Sequence, residues 1–133
     1  MTYQIRWHIE NRVIHFHIWD KFTEAEMISS SEEIGQLLAQ GTAPIHIICD
    51  VNGVTDYPRN IPVIKRSAQV YMNNPAMGWF IYLGFEHPIM RFLSSTIMQV
   101  LLKNFKHARS MEHVNEILPL VDPSLEVAIS GLK

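Results

Sequence analysis

Three histidines come first among residues that could do chemistry. His8, His15 and His17 lie in two short stretches where apolar and polar residues alternate. Strand patterning sends every second side chain to one face, so all three imidazoles belong to the polar face of one hairpin. Three converging imidazoles form a donor set for zinc. Against that chemistry, Arg6 falls opposite His17, no cysteine is near, and no carboxylates stand by to orient the rings. The stretch reads as a solvated strand face, and neither a metal site nor a cofactor is expected. A second constellation is acidic. Asp50 and Asp56 come after one apolar run and Glu86 and His87 after a later one; with those two runs as neighbouring strands, all four would project from the carboxyl edge of the sheet. Acid–base catalysis there would need groups with shifted pKa values. Turn aspartates more commonly accept hydrogen bonds from their own loop amides, and no nucleophile signature accompanies these. No catalytic residue is assigned, and the chain reads as non-enzymatic. Cys49, inside an apolar run, is expected to behave as a small apolar residue and not as a thiolate. His46 is expected in a polar niche beside its strand, and His87 at the start of a helix. Gly53 stands alone and Gly78 and Gly84 bracket a strand, so no glycine-rich phosphate loop is formed.

The elements that position these residues follow from periodicity. Tyr3, Ile5, Trp7 and Ile9 alternate with Gln4, Arg6, His8 and Glu10, and Ile14, Phe16 and Ile18 alternate with His15 and His17. Two strands joined at Asn11-Arg12 would set His8 opposite His15 and Trp7 opposite Phe16. Thr23 and Glu26 have capping-box spacing, and Phe22 and Met27 that of a hydrophobic staple. They predict a helix from Glu24 to about Gln40, closed by Gly41, with Ala25, Ile28, Ile34, Leu37 and Leu38 inward. Ile45 to Cys49 reads as a third strand buried on both faces. Asp50, Asn52, Gly53, Thr55, Asp56 and Pro58 then break any regular element.

Pro62 suits the first turn of a second helix. Ile61, Ile64, Ala68 and Tyr71 face inward on it, and Lys65, Arg66 and Gln69 outward. Asn73-Asn74-Pro75 ends that helix, and Met77 to Gly84 forms a fourth strand. His87-Pro88 opens a helix running from Ile89 to about Lys103, apolar almost all round. Phe105 to Arg109 gives a fifth strand. Ser110 caps a last helix, Met111 to Leu118, which Pro119 ends. The order ββαβαβαβα is that of an α/β chain, a small mixed sheet with helices packed against it.

The 133 residues fit one domain, which buries roughly two-thirds of its unfolded surface. A net charge of −2 and a pI near 6.4 mark no nucleic-acid partner. Single Cys49 allows no internal disulfide and fits a reducing cytoplasm. No signal peptide is apparent. The longest apolar-rich stretch, 89–102, is broken by Arg91, Ser94, Ser95, Thr96 and Gln99 and is shorter than the ~20 residues a bilayer requires, so no transmembrane segment is expected.

Three stretches carry a family likeness: Asp50-Val51-Asn52-Gly53-Val54 after the third strand, Pro75-Ala76-Met77-Gly78-Trp79 entering the fourth, and Met90-Arg91-Phe92-Leu93-Ser94 opening the next helix. With the element order, they make residues 3–118 resemble the STAS domain, named for sulfate transporters and anti-sigma factor antagonists. The resemblance is to its SpoIIAA-like branch and to bacterial STAS/SEC14-type proteins. It implies a STAS/SpoIIAA-like domain over 1–118, a C-terminal tail over 119–133, and a cytoplasmic, bacterial, regulatory role exercised by binding another protein. Antagonists of the family place an Asp-Ser-Ser-Gly signature at the loop-to-helix junction after the third strand, where a kinase phosphorylates a serine. In this chain that junction reads Pro58-Arg59-Asn60-Ile61, and the nearest hydroxyls are Thr55 and Tyr57. No phosphorylation site is carried over. The expected interaction surface comprises Asp50, Asn52, Thr55, Asp56, Tyr57, Arg59, Lys65 and Arg66. The apolar excess of 89–102, centred on Met90, Phe92, Leu93 and Met98, has three readings. It is an interface with a partner or with a second copy in a homodimer. It walls a pocket for an apolar or lipid-like ligand, as the SEC14-type likeness suggests. Or the last helix and the tail cover it.

Overall fold

Period-two alternation produces the expected hairpin, β1 (Tyr3–Ile9) and β2 (Val13–Ile18), in a computed structural model that describes residues 2–84 and 104–132. Its register differs from the expected one. Trp7 lies opposite Ile14, Ile5 opposite Phe16 and Arg6 opposite His15, because a bulge before Ile9 and a loop through Asn11, at φ 66°, replace a two-residue turn. The shift is by two residues, so each side chain keeps its face.

A two-residue strand β3 (Asp20–Lys21) leads to α1 (Glu24–Gln40), which starts on the expected capping box between Thr23 and Glu26. The buried stripe of α1 is not the expected one. Ala25 and Ile28 are exposed, whereas Ser30 and Ser31 are buried beside Ile34 and Leu38. Those serines can face the core because each hydroxyl donates to a carbonyl one turn back, Met27 O at 3.0 Å and Ile28 O at 2.8 Å.

Strand β4 (Ile45–Asp50) is buried at all six positions, as a central strand covered on both faces must be. The polar stretch after it is more regular than expected. Val54–Asp56 forms β5, which pairs in parallel with β3 as a separate two-stranded sheet. Helix α2 (Ile61–Met72) is capped by Asn60, whose side chain accepts from Val63 N. Its inward side is Ala68 and Ser67 with Ile64 and Tyr71, and Ile61, expected inward, is exposed. Strand β6 (Met77–Leu83) and β7 (Phe105–Ala108) complete a five-stranded sheet of order β1-β2-β4-β6-β7, antiparallel at β1–β2 and parallel elsewhere.

Helix α3 (Met111–Val121) is capped by Ser110 and runs through Pro119 instead of ending there. Proline inside a helix costs ~3 kcal/mol. Burial of Leu118 before it, and of Leu125 and Ile129 beyond it, outweighs that cost. Residues expected as an aperiodic tail form a 3-10 turn over Pro123–Leu125 and α4 (Glu126–Ser130). Each face of the sheet therefore has its own core. Ile14, Phe16, Ile45, Ile47 and Phe80 pack with Ile34 and Leu38 of α1 on one side. Val13, Ile48, Ile81 and Leu83 pack with Val114, Ile117, Leu118, Leu125 and Ile129 on the other.

The second face is locked by a polar cluster around His46, which does occupy a polar niche. His46 is 2% exposed. Its Nδ1 accepts from Trp79 N at 2.9 Å, which places the ring proton on Nε2, 2.8 Å from Asp122 Oδ2. Arg12 Nη2 reaches the same oxygen at 2.7 Å. Burial pushes the His46 pKa down more strongly than Asp122 pulls it up, and burial of His8 acts in the same direction. Burial alone would raise Asp122, but hydrogen bonds from Ser124 and His46 hold it below the usual carboxylate value. A histidine depressed below its ordinary 6.5 is protonated first in the unfolded chain, so stability falls as pH drops through that value toward the folded pKa. The thermal midpoint is expected to decline from about pH 7 to about pH 5.5, and to decline less in His46→Gln. Circular dichroism melts at constant ionic strength check this, and equal slopes in the two proteins would remove His46 from the account.

Candidate functional site

The carboxyl ends of β2, β4 and β6 meet at Asp50. One oxygen, Oδ1, accepts from Asn52 N at 3.0 Å and from Asn52 Nδ2 at 2.7 Å, an Asx turn that starts the loop. The other, Oδ2, faces His15 Nε2 at 3.7 Å, within ion-pair range but beyond a hydrogen bond. His15 Nδ1 lies 3.4 Å from Arg6 Nη2, and since guanidinium only donates, this nitrogen accepts and the ring proton sits on the side of Asp50. His17 Nε2 stands 3.4 Å from Asn52 O. Burial would raise Asp50, but the contacts with His15 and Asn52 outweigh it and hold the carboxyl below its ordinary value.

The loop that follows is fixed from three sides. Gly84, at φ 96°, approaches so closely that a Cβ there would stand 2.7 Å from Asn52 N. Gly53 O accepts from Asp20 N at 2.8 Å, and Asp56 O from Phe22 N at 2.9 Å. Beyond β5, Asp56 Oδ1 accepts from Tyr57 N at 2.9 Å and meets Arg59 Nη2 at 3.5 Å. The Arg59 guanidinium lies over the Tyr57 ring, 5.7 Å from its centroid. Asn52, Thr55, Arg59, Lys65 and Arg66 are exposed, Asp56 and Tyr57 are half-buried, and Asp50 is buried.

Of the expected surface, Asp50 through Arg59 thus share one braced loop, and Lys65 and Arg66 lie on the outward side of the helix it enters. Asp50 and Asp56 do bind their own loop amides, Asn52 N and Tyr57 N. Glu86 and His87 lie outside the described residues, as do Met90, Phe92, Leu93 and Met98. Burial pushes the Cys49 thiol up to about 12, so it is no thiolate. Among the described residues no three His, Cys, Asp or Glu side chains are grouped to hold a metal ion. The neighbouring imidazoles pack with centroids 6.2 Å (His15–His17) and 6.4 Å (His8–His15) apart. A groove of about 350 Å³ between α1 and β1 has a floor of Tyr3, Ile5 and Leu37 and a rim of Gln4, Glu33, Gln36 and Gln40.

Sequence reasoning missed His15 and His17 as neighbours of Asp50, and Arg6 as the group behind His15. The hairpin's polar face was expected to be solvated, yet His15 is 7% exposed and His8 bonds to Asn115 of α3 at 2.8 Å. The closeness of His15 and His17 to Asp50 comes from the crossover, in which the parallel pairing of β2 with β4 sets His17 directly opposite Asp50.

No family model matches the chain, and no curated protein matches it. Among solved structures, an uncharacterized DUF3478-family protein from Shewanella loihica PV-4, described as SpoIIAA-like in fold, aligns with a TM-score of 0.60. The alignment covers 85% of this chain and 90% of that one at 10% identity. This chain has a SpoIIAA-like fold. No helix among the described residues is long and apolar enough to cross a membrane.

Proposed function

We propose that this SpoIIAA-like chain is a non-enzymatic, STAS-like regulatory domain that binds another protein through the loop 51–60 and the outward side of α2. The observation that carries the reading is how the loop's polar groups are spent. Both Asp50 oxygens face groups of the fold itself, and Asp56 is engaged by Tyr57 and Arg59. The carboxylates hold the loop in shape and leave Asn52, Thr55 and Arg59 presented at its surface. A pre-shaped loop at the carboxyl edge of a parallel sheet is a usual site of recognition. It loses little conformational entropy on binding. No serine occurs between Asp50 and Pro62, so the surface is read as a contact without the serine switch of the antagonists.

A photo-crosslinking residue placed at Thr55 tests this. In cells of the source organism it is expected to give one discrete protein adduct, absent when the same residue replaces exposed Glu10 in the β1–β2 loop. Identical adducts from the two positions, or none from Thr55, would overturn the reading.

A further inference from the structure

We infer that the outward side of α2 takes a protein surface that carries carboxylates flanked by apolar side chains. The inference rests on the binding reading above and adds the partner's chemistry. Between Tyr57 and Phe85 the only charged residues are Arg59, Lys65 and Arg66, all positive, in a chain of net charge −2. Arg59 is engaged by Asp56 and Tyr57. Lys65 and Arg66 are exposed, and among the described residues neither makes an ion pair.

Helical spacing of four places Ile61, Lys65 and Gln69 in one row and Pro62, Arg66 and Val70 in the next. All six residues are exposed. Ile61 is 52% exposed and Val70 37%. Two cations beside exposed Ile61 and the outer edge of Val70, whose inner methyl packs against Gly35 of α1, make a compact strip, with charge to set register and apolar area to hold it.

Other occupants fit this strip less well. A second copy docked face to face about a two-fold axis would set Lys65 and Arg66 against themselves. An anionic bilayer gives ~1 kcal/mol per cation near its surface, so two free cations bind weakly in a net acidic chain. Nucleic acid is held by neutralising many phosphates in succession, which this strip does not provide. An acidic protein face needs only carboxylates spaced to meet Lys65 and Arg66.

The probe is a synthetic amphipathic helical peptide with leucine on one stripe and glutamate beside it, titrated into the isotope-labelled full chain. Amide shifts are expected to concentrate on residues 61–70, to weaken with added salt, and to need about tenfold more peptide in the Lys65→Glu, Arg66→Glu double variant. A circular dichroism melt of that variant verifies its fold. Shifts elsewhere, equal affinity in the variant, or no binding would overturn the inference. So would co-sedimentation of the chain with phosphatidylglycerol vesicles that the double variant loses, which would assign the strip to a membrane. The Thr55 crosslink separates the two levels. An adduct that persists unchanged in the double variant overturns the acidic partner and leaves protein binding intact, whereas no adduct in either chain overturns protein binding itself.

Discussion

Deleting residues 119–133 is expected to unfold the chain. Those residues supply Leu125 and Ile129, which are 1% and 3% exposed in the core of the second face. Each such side chain contributes ~1.5–3 kcal/mol by leaving water. They also supply Asp122, without which His46 Nε2 and Arg12 lose their shared acceptor. A buried donor left unpaired costs ~1–3 kcal/mol more. The combined loss, ~4–9 kcal/mol, matches the whole stability of an ordinary domain, ~5–15 kcal/mol. Urea unfolding followed by circular dichroism checks it. A truncated chain with an unchanged midpoint would show that the last fifteen residues are dispensable and that the first 118 fold alone. Asp122→Asn is the milder companion, expected to lose the ion pair to Arg12 while keeping an acceptor for His46.

Gly78→Ala is expected to be among the most damaging single substitutions. A methyl at this position would stand 2.5 Å from His46 Nδ1 and 2.6 Å from Cε1, in a ring that is almost wholly buried. His46 cannot retreat without giving up both Trp79 N and Asp122. Overpacking costs ~1–3 kcal/mol and a broken buried hydrogen bond ~1–3 more, so a loss of ~2–6 kcal/mol is expected from one carbon atom. Gly131→Ala is the control, because the nearest atom to its new Cβ is 3.5 Å away. It should shift the urea midpoint hardly at all. The pair Gly78→Ala, His46→Ala distinguishes steric conflict from any strand effect of alanine. With the ring gone the methyl has room, so the double variant should lose less than the sum of the single losses. Strict additivity would mean that Gly78 is needed for something other than its closeness to His46.

Strand and helix order was legible in this sequence because each element shows its own period. The capping box at Thr23 and Glu26 placed the start of α1 to the residue. What was not legible depended on neighbours distant in sequence. Ser30 and Ser31 are polar by type, and only the carbonyls one turn back make them compatible with a core. Pro119 signals a stop by itself because its ring opposes helix, and the buried apolar residues beyond it reverse that balance. The loop after Asp50 was expected to be irregular, since no local pattern announces that Val54–Asp56 will pair with Asp20–Lys21. The loop's own aspartates could be read from turn chemistry alone. His15 and His17 could not, because their closeness to Asp50 is created by the crossover that brings β2 beside β4.

The contact between Arg12 and Asp122 joins residues 110 positions apart. Among the described residues, Val13, Ile48 and Ile81 on one side of the sheet are covered by α3 and the residues after it, far along the chain from the hairpin. This side of the core therefore closes only through contacts of long sequence separation, which are slow to form, and the pairing of Asp122 with Arg12 ties the far end of that closure to the hairpin.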